Sequence, residues 1–240
     1  MSVLVIIPTY NEIESLEEAV AGVLVHPGYA VLVVDDDSPD GTGALADRLA
    51  AENPGRVAVM HRTGDRGLGR SYLDGFRHAL GTDARFICQM DADLSHDPKY
   101  LPDMVAMAER NDLVLGSRYT EGGGIANWPV HRLVLSVGAN RYVRIITGLG
   151  VTDCTSGFRC WRRDALASID LDAIESRGYA FLTELLYRAH LMGMSIAEVP
   201  IIFVERREGR SKLSGGVFLE SVWMPWRLRL QRLPSGEPEP

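Results

Sequence analysis

With 240 residues, 46% of them hydrophobic and 24% charged, the chain has enough apolar material for one sizeable core and reads as a single α/β domain with a short appendage. A formal net charge of −7 argues against a nucleic-acid partner, because a surface that tracks a phosphate backbone needs an excess of Lys and Arg. Cys88, Cys154 and Cys160 are odd in number and lack a C-x-x-C pair, which argues against a disulfide framework or zinc site and leaves reduced thiols.

The first 116 residues alternate short apolar runs with helical patterns. Strands are predicted at 3–7, 30–34, 57–60, 86–90 and 113–115, with helices near 12–25, 41–52, 68–81 and 98–110 between them. Such alternation gives a mostly parallel sheet with helices on both faces and a ligand crevice at the carboxyl ends of the strands. The polar motifs fall at those ends. Pro8-Thr9-Tyr10-Asn11-Glu12 follows the first strand, Asp35-Asp36-Asp37-Ser38-Pro39-Asp40-Gly41 the second, and Asp91-Ala92-Asp93 the fourth. After Gly116 the rhythm breaks. Glu121-Gly122-Gly123-Gly124 reads as a flexible loop. A helix at about 132–147 follows, then a Gly/Thr/Ser-rich segment to Gly157, a helix near 179–192 and one apolar strand at 196–204. The expected organisation is one domain over 1–212 with halves 1–116 and 117–212, an amphipathic segment at 213–233 and a disordered tail at 234–240.

Met1-Ser2 leads directly into the first strand, leaving no room for a signal peptide. No window approaches the ~20 apolar residues of a spanning helix; the best, 133–151, is interrupted by Asn140, Arg141 and Arg144. Between 206 and 232, Arg206, Arg207, Arg210, Lys212, Arg227, Arg229 and Arg232 face only Glu208 and Glu220, an excess of five positive charges. Leu219, Val222, Trp223, Trp226, Leu230 and Leu233 fall on one helical face beside these arginines. That pattern suits a helix lying in the interface of an anionic membrane, docking on a membrane subunit or packing on the core, with Pro225 expected to kink or split it.

Asp91 and Asp93 leave a buried strand one residue apart and form a hard-oxygen site for Mg²⁺ or Mn²⁺. Turn capping is an alternative, as is a D-x-D phosphatase nucleophile, although such an Asp usually opens the fold. The Asp35 to Asp40 cluster is either an Asx-rich turn capping the next helix or a carboxylate for a base or ribose. Gly67-Leu68-Gly69 lacks the third glycine of a dinucleotide loop, because Tyr72 stands there, and reads as a tight helix entry. Arg118 and Arg132 suit bidentate phosphate recognition or a solvated face, and Arg206 and Arg207 carry the same ambiguity. His61, His96 and His131 have no metal-ligand spacing, and His96 alone is a site candidate.

These motifs, with Gly116-Ser117-Arg118, Asn127-Trp128-Pro129, Thr155-Ser156-Gly157-Phe158-Arg159 and Gly209-Arg210-Ser211-Lys212, occur in one order over about 210 residues. Together they resemble the family 2 glycosyltransferases, specifically the dolichol- or polyprenol-phosphate mannose synthases. The resemblance implies a GT-A fold and an inverting, metal-dependent transfer of mannose from GDP-mannose to a polyprenyl monophosphate. It implies that Pro8, Tyr10, Glu12 and Asp36 line the nucleotide pocket, with Arg206 and Lys212 meeting phosphate from a closing loop. Asp91 and Asp93 are implied to hold the Mg²⁺ or Mn²⁺ on the donor diphosphate, with Ser95 standing where some relatives have Gln. Arg118, Arg132 and Ser136 are implied to cradle the acceptor phosphate, so Asp93, Arg118 and Arg132 are the residues expected to carry the chemistry. A peripheral position on the cytoplasmic side of a membrane follows. Two alternatives stay open: a UDP-sugar-dependent transferase with the same acceptor, and a sugar-nucleotide-binding scaffold, which would not need both arginines beside the carboxylate pair.

Overall fold

A computed structural model describes residues 2–176, 178, 180–205 and 215–230, with 215–222 as backbone alone. Five strands follow the predicted rhythm: β1 (Val3–Thr9), β2 (Tyr29–Asp35), β3 (Val57–His61), β4 (Phe86–Gln89) and β5 (Leu113–Ser117). Between them run α1 (Leu16–Leu24), α2 (Thr42–Glu52), α3 (Leu68–Leu80) and α4 (Leu101–Ala108), the last entered through a 3₁₀ turn at Pro98–Tyr100. β1 is apolar at successive positions because both of its faces are covered: Val3, Val5 and Ile7 join one core, Leu4 and Ile6 the other. Leu16, Val20, Ala46 and Met104 bring α1, α2 and α4 onto the first face, while Tyr72 and Phe76 bring α3 onto the second. Each fully buried aliphatic side chain contributes roughly 1.5–3 kcal/mol.

The second half adds β6 (Gly124–Ala126), α5 (Val130–Thr147), β7 (Arg159–Arg162), α6 (Arg163–Ser168), α7 (Ala180–Leu191), β8 (Ile196–Pro200), β9 (Ile202–Val204) and α8 (Gly215–Leu230). The main sheet has the order β3-β2-β1-β4-β7-β5-β8. Only β7 is antiparallel, paired with β4 on one side and β5 on the other. It therefore starts at the end of the sheet where its neighbours finish, and carries Thr155 to Phe158 to the same rim as the strand-end motifs. The strand order reverses between β1 and β4, which opens a crevice there. β4 accompanies β1 only to the pair Ile6 and Gln89, so Pro8 lies beyond that pairing, where its missing N–H is tolerated.

Four expectations change. Residues 121–124 are not wholly a loop: Gly124 opens β6, paired with β9 in a second, two-stranded sheet. The single strand expected at 196–204 breaks at Ile201, β8 staying beside β5 and β9 leaving for β6. β7 and α6 had no counterpart in the predicted elements, because a four-residue strand next to a six-residue helix has too little periodicity to register. α8 runs through Pro225 without splitting and packs on α5 and α7, with Met224 and Leu228 buried. Among the described residues no helix is long and apolar enough to cross a membrane.

Candidate active site

The Asp35 to Asp40 cluster divides its labour. Asp35 is buried and accepts from Thr9 Oγ1 at 3.1 Å and Ser38 Oγ at 2.6 Å, holding the turn together. Asp40 accepts the Thr42 N–H at 3.0 Å and its hydroxyl at 2.6 Å, which secures the start of α2. Asp36, the expected nucleotide ligand, is buried against Arg62 and accepts the Gly67 N–H at 2.7 Å. It thereby ties the crevice to the glycine turn, where Gly67 has φ 150° and Leu68 begins α3, the tight helix entry expected from the sequence. Tyr10 lies under Arg66, whose Cζ is 5.0 Å from the ring centre, and Arg66 also bonds Asp37 at 2.7 Å. The Glu12 N–H donates to Thr42 Oγ1 at 3.0 Å. These contacts draw the ends of β1 and β2 together at one mouth of the crevice.

Asp91 and Asp93 occupy the other mouth, just past β4. Tyr72 Oη donates to Asp91 Oδ1 at 3.3 Å. Burial, and then the neighbouring Asp91 charge, push the Tyr72 pKa well above its ordinary value, so it remains a donor. Asp93 Oδ1 accepts both the Ser95 hydroxyl at 2.5 Å and the Ser95 N–H at 3.1 Å. Ser95 is thus a buried brace for Asp93, with its hydroxyl proton directed at the carboxylate. His96 is buried beside the pair, and its Nδ1 accepts the Asp91 backbone N–H at 3.1 Å. The same nitrogen lies 3.7 Å from Asp91 Oδ2. Gly157, two residues before β7, lies against both groups: a Cβ built there would be 3.4 Å from His96 Cε1 and 3.6 Å from Asp91 Oδ2.

From this pair a continuous train of rings leads to the two arginines. His96 stacks on Phe158 at 5.0 Å and meets Phe203 edge-on at 5.7 Å. Phe203 meets Trp128 at 5.6 Å, and the Arg132 guanidinium lies 4.0 Å over the Trp128 ring. Arg118 sits against the same Phe203 at 5.5 Å and against Tyr119 at 5.2 Å. Arg132 is ion-paired with Glu205 and is 38% exposed. Arg118 is almost buried and bidentate to Asp153, with Nε and Nη2 each at 2.7 Å from its oxygens. Burial works against the Arg118 charge, but the Asp153 carboxylate more than restores it and the pKa lies above the ordinary arginine value. Ser136 Oγ accepts from Tyr119 Oη at 2.7 Å, and is linked to Arg118 through that ring. Arg206 and Lys212 lie outside the described residues.

The glycine loop is fixed by close approach. A Cβ on Gly123 would be 2.7 Å from Ser117 O and 3.0 Å from the Arg118 carbonyl carbon and oxygen, and these backbone atoms cannot rotate away. Gly123→Ala is expected to destabilise the chain by roughly 1–3 kcal/mol and to lower activity by displacing Arg118, read from urea melts beside transfer assays.

Asp153 had been missed in the sequence, falling in a stretch legible only as Gly/Thr/Ser-rich, as had Phe203, in an apolar strand. Thr155 and Arg159 stood in a motif of the resemblance, but no role at the site had been given to them.

Comparison with known proteins gives the family and the fold. Residues 4–170 match the family described as Glycosyl transferase family 2. An undecaprenyl-phosphate mannosyltransferase of Micrococcus luteus is 50% identical over 223 residues, covering 92% of this chain and 91% of the relative. A polyprenol monophosphomannose synthase of Mycolicibacterium smegmatis is 48% identical over 231 residues, 94% of this chain and 87% of the relative. Among solved structures, glucosyl-3-phosphoglycerate synthase from Mycobacterium tuberculosis, in complex with Mn²⁺, UDP and glucosyl-3-phosphoglycerate, aligns with TM-score 0.65 at 18% identity. That alignment covers 99% of this chain and 81% of the other, and establishes the shared fold. The fold is that of a GT-A glycosyltransferase. The chain belongs to glycosyl transferase family 2.

Proposed function

We propose that this enzyme transfers mannose from GDP-mannose to a polyprenyl monophosphate with inversion at the anomeric carbon. The observation that carries the reading is the ring-lined path from the Asp91 and Asp93 carboxylates to the Arg118 and Arg132 guanidiniums. It is reinforced by the two named relatives at 48–50% identity. A sugar-nucleotide scaffold would need the carboxylate end of this path but not the cationic end.

The residues fit a divalent metal. Asp91 and Asp93 are hard-oxygen donors, and among the described residues no group of three or more His, Cys, Asp or Glu could hold an ion. Asp91 and Asp93 would hold such a cation, which when bound would supply charge stabilisation for the leaving nucleoside diphosphate. Tyr72 and Ser95 keep the two carboxylates oriented. An acceptor phosphate is already anionic at neutral pH, so its oxygen attacks the anomeric carbon without a general base, the bond to the departing diphosphate oxygen breaks, and the configuration inverts in one displacement. Arg118 and Arg132 hold that anion against the repulsion of an anionic donor. Pro8, Tyr10, Glu12 and Asp36 line the nucleotide side.

A lipid acceptor also needs an apolar surface. The first turns of α5 expose Val130, Val134 and Leu135, and a groove of about 680 Å³ runs along the helix between Tyr119, Val137, Arg144, Ile145 and Leu149. Trp223 and Trp226 on the neighbouring α8 are 66% and 46% exposed. Peripheral binding to an anionic membrane through these helices suits the apolar face and the exposed Arg141 and Arg144 of α5, while Arg227 and Arg229 of α8 reach Glu184 and the Ile146 carbonyl. Trp223→Glu with Trp226→Glu is expected to reduce co-sedimentation with anionic vesicles while shifting the melting temperature little. Leu228→Ala, a core truncation on the same helix, is expected to cost about 2–5 kcal/mol of stability instead. A collapsed melt with unchanged sedimentation in the tryptophan variant would assign those rings to packing.

The deciding assay offers radiolabelled GDP-mannose, UDP-glucose and UDP-N-acetylglucosamine separately with a polyprenyl phosphate, with and without chelator. Metal-dependent transfer from GDP-mannose alone is the expected result; transfer from a UDP-sugar would move the donor assignment. Donor-dependent thermal stabilisation without turnover would favour the scaffold.

A further inference from the structure

Arg118 by itself brings no net charge to the acceptor side, because its bidentate partner Asp153 is fully buried and cancels it. A bond from Nη2 to Thr155 Oγ1 at 2.8 Å and one from the backbone N–H to Asp153 at 3.1 Å fix the group further. Among the described residues Nη1 alone of its side-chain nitrogens has no hydrogen-bond acceptor, so the pair presents one oriented edge. An anionic nucleophile approaching an anionic donor needs more than an oriented edge; it needs positive potential.

A second guanidinium is tied to the segment that carries Asp153 and Thr155, without an ion pair to Asp153 itself. Arg159 is fully buried, with Nε donating to Ser156 O at 2.8 Å and with no acceptor for Nη1 or Nη2 among the described residues. Burial lowers its pKa to about 10, against the pull of Asp153 and then Tyr72, so it is a cation at neutral pH. Tyr72 is also the donor to Asp91. Arg159 is bonded to Ser156, in the short segment whose Thr155 holds Arg118 and whose Gly157 lies against Asp91. A buried donor left unmet is costly, so a fold that keeps two of them on one side chain calls for a compensating use.

We propose that Arg118, Asp153 and Arg159 form a buried triad with one net positive charge, in which Asp153 orients Arg118 and Arg159 is a positioning residue restoring the potential that holds the acceptor phosphate. The proposal rests on the acceptor reading of Arg118 given above. The low-dielectric interior makes this charge felt at the site more strongly than a surface arginine would be.

Charge arithmetic gives the test, using the full chain, GDP-mannose and a short-chain polyprenyl phosphate, with kcat and both KM values measured. Arg159→Gln makes the triad neutral and is expected to raise the acceptor KM by ~10- to 100-fold, with the donor KM within about twofold of wild type. Asp153→Asn leaves two net charges and is expected to lower the acceptor KM while reducing kcat, because the Arg118 edge is no longer held. The double variant carries the wild-type net charge, so its acceptor KM should return to within a few-fold of wild type while kcat stays low. A merely structural role gives another pattern, with the two losses adding in the double variant and donor and acceptor KM moving together; that result overturns the triad. If a single variant does not fold, the double variant and Arg159→Lys decide: a near-wild-type acceptor KM supports the proposal, and a tenfold rise overturns it. Absence of transfer by the wild-type chain from any sugar nucleotide would remove the functional reading and the triad with it, whereas normal wild-type turnover with an unchanged acceptor KM in Arg159→Gln removes the triad alone.

Discussion

Asp91→Asn is expected to lower turnover by at least ~10²-fold, equivalent to about 2.7 kcal/mol of barrier. The amide keeps the shape of the side chain and can still meet Tyr72 Oη, so the change is one of charge at the carboxylate pair. Asp91 is about one-third exposed, and Asp93 remains braced by Ser95, which leaves the fold with little to lose. The melting temperature should therefore stay close to wild type while metal-dependent GDP-mannose binding, followed by calorimetry, weakens. Chelator added to the wild-type chain should reproduce the defect. Wild-type activity retained by Asp91→Asn in excess chelator would show that these carboxylates serve the turn and not a cation.

The halves of this chain differed in how plainly they could be read. The parallel half was legible because its strands are buried on both faces, which writes runs such as Val3-Leu4-Val5-Ile6-Ile7 into the sequence, and because its polar residues collect where those runs stop. Asp91 and Asp93 were visible for that reason. The second half was obscured by a short antiparallel strand whose four residues include two arginines, and by a strand that changes sheets at Ile201. Consequently the pairing of Arg118 with Asp153, 35 residues apart, had no local trace. Nor did the role of Phe203, which touches Arg118, His96 and Trp128 from the second sheet. Of the apolar face expected on the last helix, Trp223, Trp226 and Leu230 are exposed, while the side chains of Leu219, Val222 and Leu233 lie outside the described residues; Met224 and Leu228 are the ones the core claims.

Arg118→Ala and Arg132→Ala should each cost roughly 2–4 kcal/mol in kcat/KM, since each removes a charged hydrogen bond to a nucleophile that has to be positioned in a largely desolvated site. Their effects on stability should part company. Arg118 leaves Asp153 behind as a buried carboxylate without its bidentate partner, a loss of about 3–5 kcal/mol. Arg132 and Glu205 are each about one-third exposed, and losing that pair should cost roughly 0–1 kcal/mol. Lys at either position should rescue only in part, because an ammonium keeps the charge but cannot present a planar fork to Asp153 or lie flat on Trp128. Arg132→Ala is consequently the cleaner probe: a chain that melts like wild type, binds GDP-mannose and metal like wild type, and fails to use the polyprenyl phosphate. Titrating donor into each variant by calorimetry beside transfer assays at varied acceptor separates the roles. Loss of donor binding with an unchanged acceptor KM would reassign both arginines to the donor diphosphate.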